Sequence, residues 1–255
     1  MGKIFATANQ KGGVGKTTTA INLAACLARL GKRVLAIDMD PQGNMTSGFG
    51  VNKYEVESSM YQLMIGDEDF FSTVIREAYP GLDLIPASVD LAAVEIELNY
   101  EDNKEFILRE ILRPVASLYD YLIIDCPPSL NLLTLNALAA ADSVIVPIQC
   151  EYYALEGLSQ LIHTITLVKE RLNPGLSIDG VVFTMYDART NLSQQVVENV
   201  RDNLNQHIYR TVIARNIRLA EAPSFGMPIA DYDPASTGAQ NYMKLAQEVI
   251  DRTEA

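Results

Sequence analysis

Gln10-Lys11-Gly12-Gly13-Val14-Gly15-Lys16-Thr17-Thr18 is the stretch on which the reading of this chain turns. Ahead of it lies a short apolar run, Ile4 to Ala8. Behind it, Thr17 to Leu30 carries Ile21, Leu23, Ala24, Leu27, Ala28 and Leu30 at helical spacing and stops at Gly31. Glycines at 12, 13 and 15 let backbone N–H groups turn toward an anion with no Cβ in the way, and the helix N-terminus adds its dipole. A strand, a glycine turn and a helix in that order make a cradle for phosphate oxygens, with Val14 and Thr18 completing its backbone. Lys16 supplies a point charge for the β and γ phosphates, and the Thr17 hydroxyl is placed to ligate Mg²⁺. The generic GxxxxGK[ST] spacing fails, because Gln10 stands five before Gly15. A shorter turn with an extra cation, Lys11, replaces it. Such a GGxGKTT string arises by chance on the order of once in 10⁵ chains of this length.

Working outward, apolar runs of strand length recur at Ile4 to Ala8, Arg33 to Ile37, Leu82 to Pro86, Tyr121 to Ile124, Val144 to Ile148 and Gly180 to Thr184. Helical segments fall between and after them, at Val89 to Asn99, Asn103 to Leu118, Leu155 to Leu172, Ser193 to Gln206 and Ala235 to Arg252. The alternation predicts an α/β fold: a mostly parallel twisted sheet with helices on both faces, opened by a right-handed βαβ unit. The 255 residues suit a single domain spanning 1–255.

Lys and Arg number 20 against 32 Asp and Glu, a formal charge of −12, which excludes a uniformly basic nucleic-acid binder. The excess is local. Residues 51–110 hold 14 acids and 4 bases, whereas residues 181–220 hold 3 acids and 5 bases. Cys26, Cys126 and Cys150 have no CxxC spacing, and Lys3 opens no signal peptide, so reduced thiols and a cytoplasmic location are expected. The longest apolar stretches, such as Leu132 to Ala141, are too short and interrupted to span a bilayer.

Two further strand ends carry acids. Arg33 to Ile37 leads into Asp38-Met39-Asp40-Pro41, and Tyr121 to Ile124 leads into Asp125-Cys126-Pro127-Pro128. Carboxylates there sit at the carboxyl edge of a parallel sheet, where open α/β sheets bind ligands. Four apolar residues and one aspartate fit a Walker B element, with Asp125 holding Mg²⁺ through water.

The glycine loop resembles the deviant Walker A motif, KGGxGK[ST], of the ParA/MinD family of P-loop ATPases. Ile213 to Pro223 and Phe183 to Asn191 are similar to stretches of its ParA/Soj branch, although Ala214 stands where the family usually has proline. The resemblance runs from residue 3 to about 250. It implies a P-loop NTPase fold, ATP and Mg²⁺ as cofactors, and an ATP-dependent homodimer in which Lys11 reaches across to the partner's phosphates. It also implies that Asp40 positions or activates the attacking water, that Asp38 helps the Mg²⁺ shell and that Asn216 contacts adenine or ribose. Arg189, Arg215 and Arg218, in the basic window, would bind double-stranded DNA without sequence preference. A ParB-like centromere-binding protein is the implied stimulating partner, a replication initiator a further one, and the ATP form would sit on the nucleoid. Two alternatives share the chemistry, a ParA-like positioner of a protein cargo and a MinD-like membrane-surface ATPase. The second needs a basic amphipathic C-terminal helix, whereas this chain ends Glu248 to Ala255 with more acid than base, so no membrane partner is expected. A metabolic ligase on the same fold is a different class, not expected to carry Lys11.

Overall fold

The computed structural model describes residues 2–151, 154–204 and 206–254. All the expected apolar runs are strands: β1 (Lys3–Thr7), β2 (Val34–Asp38), β4 (Leu82–Ile85), β5 (Tyr121–Asp125), β6 (Ser143–Gln149) and β7 (Ser177–Thr184). With β3 (Ile75–Tyr79) they form one sheet in the order β3-β4-β2-β5-β1-β6-β7, parallel throughout except for the β3–β4 pair. Every residue of β2 and β5 is buried. That explains their unbroken apolar runs, since strands covered on both faces need no polar alternation.

From β1 the chain passes through helix α1 (Lys16–Arg29) to β2 on one side, whereas β6 lies on the other side of β1. The reversal opens a crevice at the carboxyl end of β1. Register pairs Asp125 with both Thr7 and Asp38, so the ends of β1, β5 and β2 stand level there. One face of the sheet is covered by α1 and the C-terminal helix Thr237–Thr253, through Leu23, Leu27, Leu245 and Val249. The opposite face is covered by helices Leu132–Ala140 and Ala154–Arg171, through Leu138, Leu158, Leu161 and Ile165.

The sequence reading departs from the structure in several places, the short helices Asn44–Gly48, Met60–Ile65 and Phe70–Thr73 among them. Strand β3 carries exposed Arg76 and Glu77, with Glu77 at φ 49° and a register shift against β4, so this edge strand has no apolar run to betray it. Leu132–Ala140, read only as too short for a bilayer, is a helix whose near-complete burial removes any amphipathic period. Asn131 caps it, its side chain accepting the Thr134 N–H at 3.1 Å. The helix expected over 103–118 stops at Leu112, because Pro114 lacks an N–H and clashes with the preceding turn; single 3₁₀ turns flank it. The segment 89–99 is three consecutive short helical turns.

Candidate nucleotide site

The glycine loop leaves β1 at the crevice. Gly13 and Gly15 take φ of 74° and 86°, the left-handed region that only glycine enters without strain, and a Cβ at Gly12 or Gly13 would project into open space. Gly15 is the N-cap of α1 and offers no side-chain cap, so the opening N–H groups of a 14-residue helix border the cavity with no side chain satisfying them. That cavity, about 380 Å³, is lined by the glycines with Lys16, Thr17, Thr18, Asp40 and Pro128. Lys16 is buried, and its Nζ donates to the Lys11 carbonyl at 3.0 Å. Burial pulls its pKa down, against the opposing pull of Asp125 and, less, of Asp40.

The loop is fastened from outside. The Asn9 amide donates to the Pro147 carbonyl at 2.8 Å while its oxygen accepts the Lys11 N–H at 3.0 Å. Gln10 donates to the Thr164 hydroxyl at 2.7 Å. Thr184, the last residue of β7, donates its hydroxyl to the carbonyl of buried Val14 at 2.8 Å, with the Ile148 carbonyl 3.1 Å away. Lys11 spends its charge elsewhere: its Nζ pairs with the Glu151 carboxylate at 2.5 Å, with both side chains about 40% exposed (39% and 42%).

The two acidic strand ends differ in what their oxygens do. Asp38 Oδ2 accepts the Thr46 N–H at 2.8 Å and its hydroxyl at 2.7 Å, and Asp38 Oδ1 accepts the Asp40 N–H at 3.2 Å. The Thr46 hydroxyl in turn accepts the Ala87 N–H at 2.9 Å. Asp38 thereby fastens the turn and the short helix Asn44–Gly48 that follow β2. Asp125 is fully buried and its Oδ2 has no hydrogen-bond partner. Burial raises its pKa well above the ordinary aspartate value, Asp38 adds to the rise, and the Thr17 hydroxyl and Lys16 oppose it. An unsatisfied buried oxygen beside Thr17 and Lys16 needs a cation, and the hard oxygen donors fit Mg²⁺. Asp40 spends Oδ1 on the Gln42 N–H at 2.9 Å and otherwise faces the phosphate cavity.

A second cavity of about 490 Å³ shares Gly15, Thr18 and Met185 with the first. Its walls include Ile213, Ala214, Leu219 and Tyr242, an apolar slot of the kind that takes a flat ring. Asn216 lies in that wall, its oxygen accepting the Arg218 N–H at 2.8 Å to cap the short helix Ile217–Glu221. Met185 sits between the cavities at φ 51°, a strained angle for methionine. The wall is stitched to the end of β7: Ile213 N–H donates to Phe183 at 2.8 Å, Tyr186 N–H to Ile213 at 3.0 Å and Arg215 N–H to Tyr186 at 2.9 Å.

The three arginines are not equivalent. Arg189 is paired with Asp187 at 2.7 Å, which holds that carboxyl down at about 2, and Arg218 is paired with Glu221 at 2.9 Å. Exposed Arg215, on the rim of the slot, has no ion pair among the described residues. Asn9, Glu151, Thr184 and Met185 belong to the site and were not singled out in the sequence. For Thr184 there was a signal, a polar residue closing an apolar strand as Asp38 and Asp125 do.

Residues 2–178 match a family model described as an AAA domain. The chain is 56% identical over 249 residues, 98% of either chain, to the sporulation initiation inhibitor protein Soj of Bacillus subtilis (strain 168). It is 52% identical over 252 residues to the chromosome partitioning protein ParA of Myxococcus xanthus, covering 99% of this chain and 89% of that one. It belongs to the Soj/ParA family of P-loop ATPases. Solved structures similar to this Soj/ParA member include cobyrinic acid a,c-diamide synthase from Mycobacterium smegmatis with bound ADP and magnesium, at TM-score 0.88 and 36% identity, covering 100% and 96% of the two chains. The Pyrococcus furiosus cell division ATPase MinD follows the same path at TM-score 0.82 and 25% identity, covering 98% and 99%.

Proposed function

We propose that this Soj/ParA member is a DNA-partition ATPase. It binds ATP with Mg²⁺, pairs with a second copy across two nucleotides, and in that form binds double-stranded DNA without sequence preference. A ParB-like centromere-binding protein stimulates its slow hydrolysis, and the protein moves between cytoplasm and nucleoid. The observation that carries the reading is the division of labour between two lysines. Lys16 is buried in its own phosphate cavity, whereas Lys11 stands outside it on an exposed acid. A cation so placed serves a neighbour's phosphates in the manner of an arginine finger.

Within one protomer the loop N–H groups and Lys16 bind the phosphates, and the apolar slot with Asn216 takes the base. Mg²⁺, held by the Thr17 hydroxyl and the free oxygen of Asp125, would neutralise phosphate charge. Asp38 accepts the Asp40 N–H directly and, anchored by Thr46, keeps Asp40 in place. Asp40 orients the attacking water and accepts its proton as the water oxygen bonds to the γ-phosphorus and the bond to the ADP oxygen breaks. Lys11 of the partner stabilises the spreading charge. Arg215, with Arg189 and Arg218 once their acids yield them, contacts DNA phosphates.

The test is DNA binding with ATP, with ADP and without nucleotide, at two salt concentrations. Binding only with ATP and falling steeply with salt is expected; binding indifferent to nucleotide overturns the reading. One observation favours a second reading, ATP activation of a small-molecule carboxylate: the 36% identity to cobyrinic acid a,c-diamide synthase. Absence of DNA binding in every arm, with turnover dependent on such a carboxylate, would select it.

A further inference from the structure

A strongly acidic stretch of the chain carries an apolar stripe that the described elements leave exposed. Across the helical turns of 89–100, Leu91, Val94 and Leu98 face inward and are buried. On the outside, Val89, Ala92, Ile96 and Tyr100 recur at helical spacing, and Val89, Ile96 and Tyr100 are 67%, 79% and 94% exposed. Removing such side chains from water is favourable, so a row of them left outside marks a contact surface. Asp90, Glu95, Glu97, Glu101 and Asp102 border the row, all exposed, and among the described residues none is paired with a base.

We propose that this face docks a helical segment of a protein partner that presents an apolar row bordered by lysines or arginines. Charge selects that occupant. A second copy would bring the same unpaired acids against these, and DNA would bring phosphates, whereas cations on either side of an apolar row meet both features at once. The surface has a route to the nucleotide site. Glu95 accepts the Leu132 N–H at 3.1 Å, at the start of the helix that follows the Asp125 loop. A cation drawn to Glu95 competes for that bond. The proposal needs no nucleotide chemistry and stands apart from the partition reading.

The experiment measures fluorescence anisotropy of a labelled model peptide, with leucines at this helical spacing bordered by lysines, against the whole protein. The same peptide with glutamates in place of the lysines is the control. Ile96→Asp and Tyr100→Asp are expected to weaken lysine-peptide binding by about 30-fold. Glu97→Gln weakens it by a few-fold in a salt-sensitive way, and Lys169→Glu, at an exposed position of the helix Ala154–Arg171, leaves it unchanged. Circular dichroism verifies that the variants, all at exposed positions, keep their fold. Equal binding by the Ile96 and Tyr100 variants, equal binding of the glutamate peptide, or no binding by the native protein overturns the proposal. So does loss of ATP-dependent dimers by light scattering in Tyr100→Asp, which assigns the face to a second copy.

Discussion

Lys11 is held by Glu151, 140 residues away in sequence, and stands outside the cavity whose wall includes Lys16. Because both partners are about two-fifths exposed (39% and 42%), the pair is a weak latch. Exposed ion pairs contribute about 0–1 kcal/mol. Each dimer frees two such lysines, so Glu151→Gln is expected to tighten ATP-dependent dimerisation by at most about 5-fold per protomer, about 30-fold for the pair, read by light scattering against protein concentration. A weakened dimer would show instead that Glu151 supports the closed state. Lys11→Ala is expected to keep ATP binding and lose the dimer.

Lys16 is buried with its ammonium on a carbonyl, beside Asp125. Removing it takes away the cation that faces the phosphates and leaves their charge unmatched. Lys16→Ala is expected to weaken ATP binding by about 100-fold, equivalent to about 3 kcal/mol. Titration calorimetry checks this, and retained affinity would remove Lys16 from the cradle.

For Asp40→Ala the expectation is split between readouts. The side chain holds only the Gln42 N–H of its own turn, so ATP affinity and dimerisation stay within a few-fold while turnover falls by about 10²–10⁴, the usual range for a lost general base. Normal turnover would move that role elsewhere.

Unequal pairing ranks the arginines. Arg215→Glu is expected to lower DNA affinity most, since Arg189 and Arg218 must first release Asp187 and Glu221. Each lost phosphate contact should flatten the slope of log K against log salt by about 0.9 per protomer. If Arg189→Glu and Arg215→Glu both bind DNA normally with dimers intact, the basic window is only a surface.

All three thiols are buried, and burial pushes Cys150 up to about 11 and Cys26 up to about 12. The thiolate is the reactive form. Alkylation of the native protein near neutral pH should therefore be slow, with all the thiols appearing at once on unfolding. The folded state holds these protons more tightly than the unfolded one, so the associated stability is complete below the ordinary thiol value of 9.0 and is lost as pH rises from there toward 11. Thermal midpoints flat across that range would contradict the shifts.

The fold was legible wherever burial left an imprint on composition. Residues such as Leu35 and Ile123 sit in strands covered on both faces, and their runs stand out. The same burial erased the period of Leu132–Ala140, and exposure hid β3. The glycine loop was legible as a turn between a strand and a helix, and Asp38 and Asp125 as acids closing apolar strands, which is where the structure puts them. The distinction between Asp38 and Asp125 was not, because it depends on Thr46, eight residues past Asp38, and on the lack of any hydrogen-bond partner for Asp125 Oδ2. Glu151 was invisible for the same reason: only the folded chain brings it to Lys11.

Thr184 ends β7 with its hydroxyl on the loop carbonyl of Val14, and two residues later the backbone of Tyr186 grips Arg215. The phosphate cradle, the ring-binding slot and the unpaired arginine thus hang from a single strand terminus. A shift at the cradle of a few tenths of an ångström has two peptide units to cross before it reaches the arginine. News of which nucleotide is bound therefore needs no relay through the core, and a stiffer or looser β7 terminus would set how faithfully it is delivered.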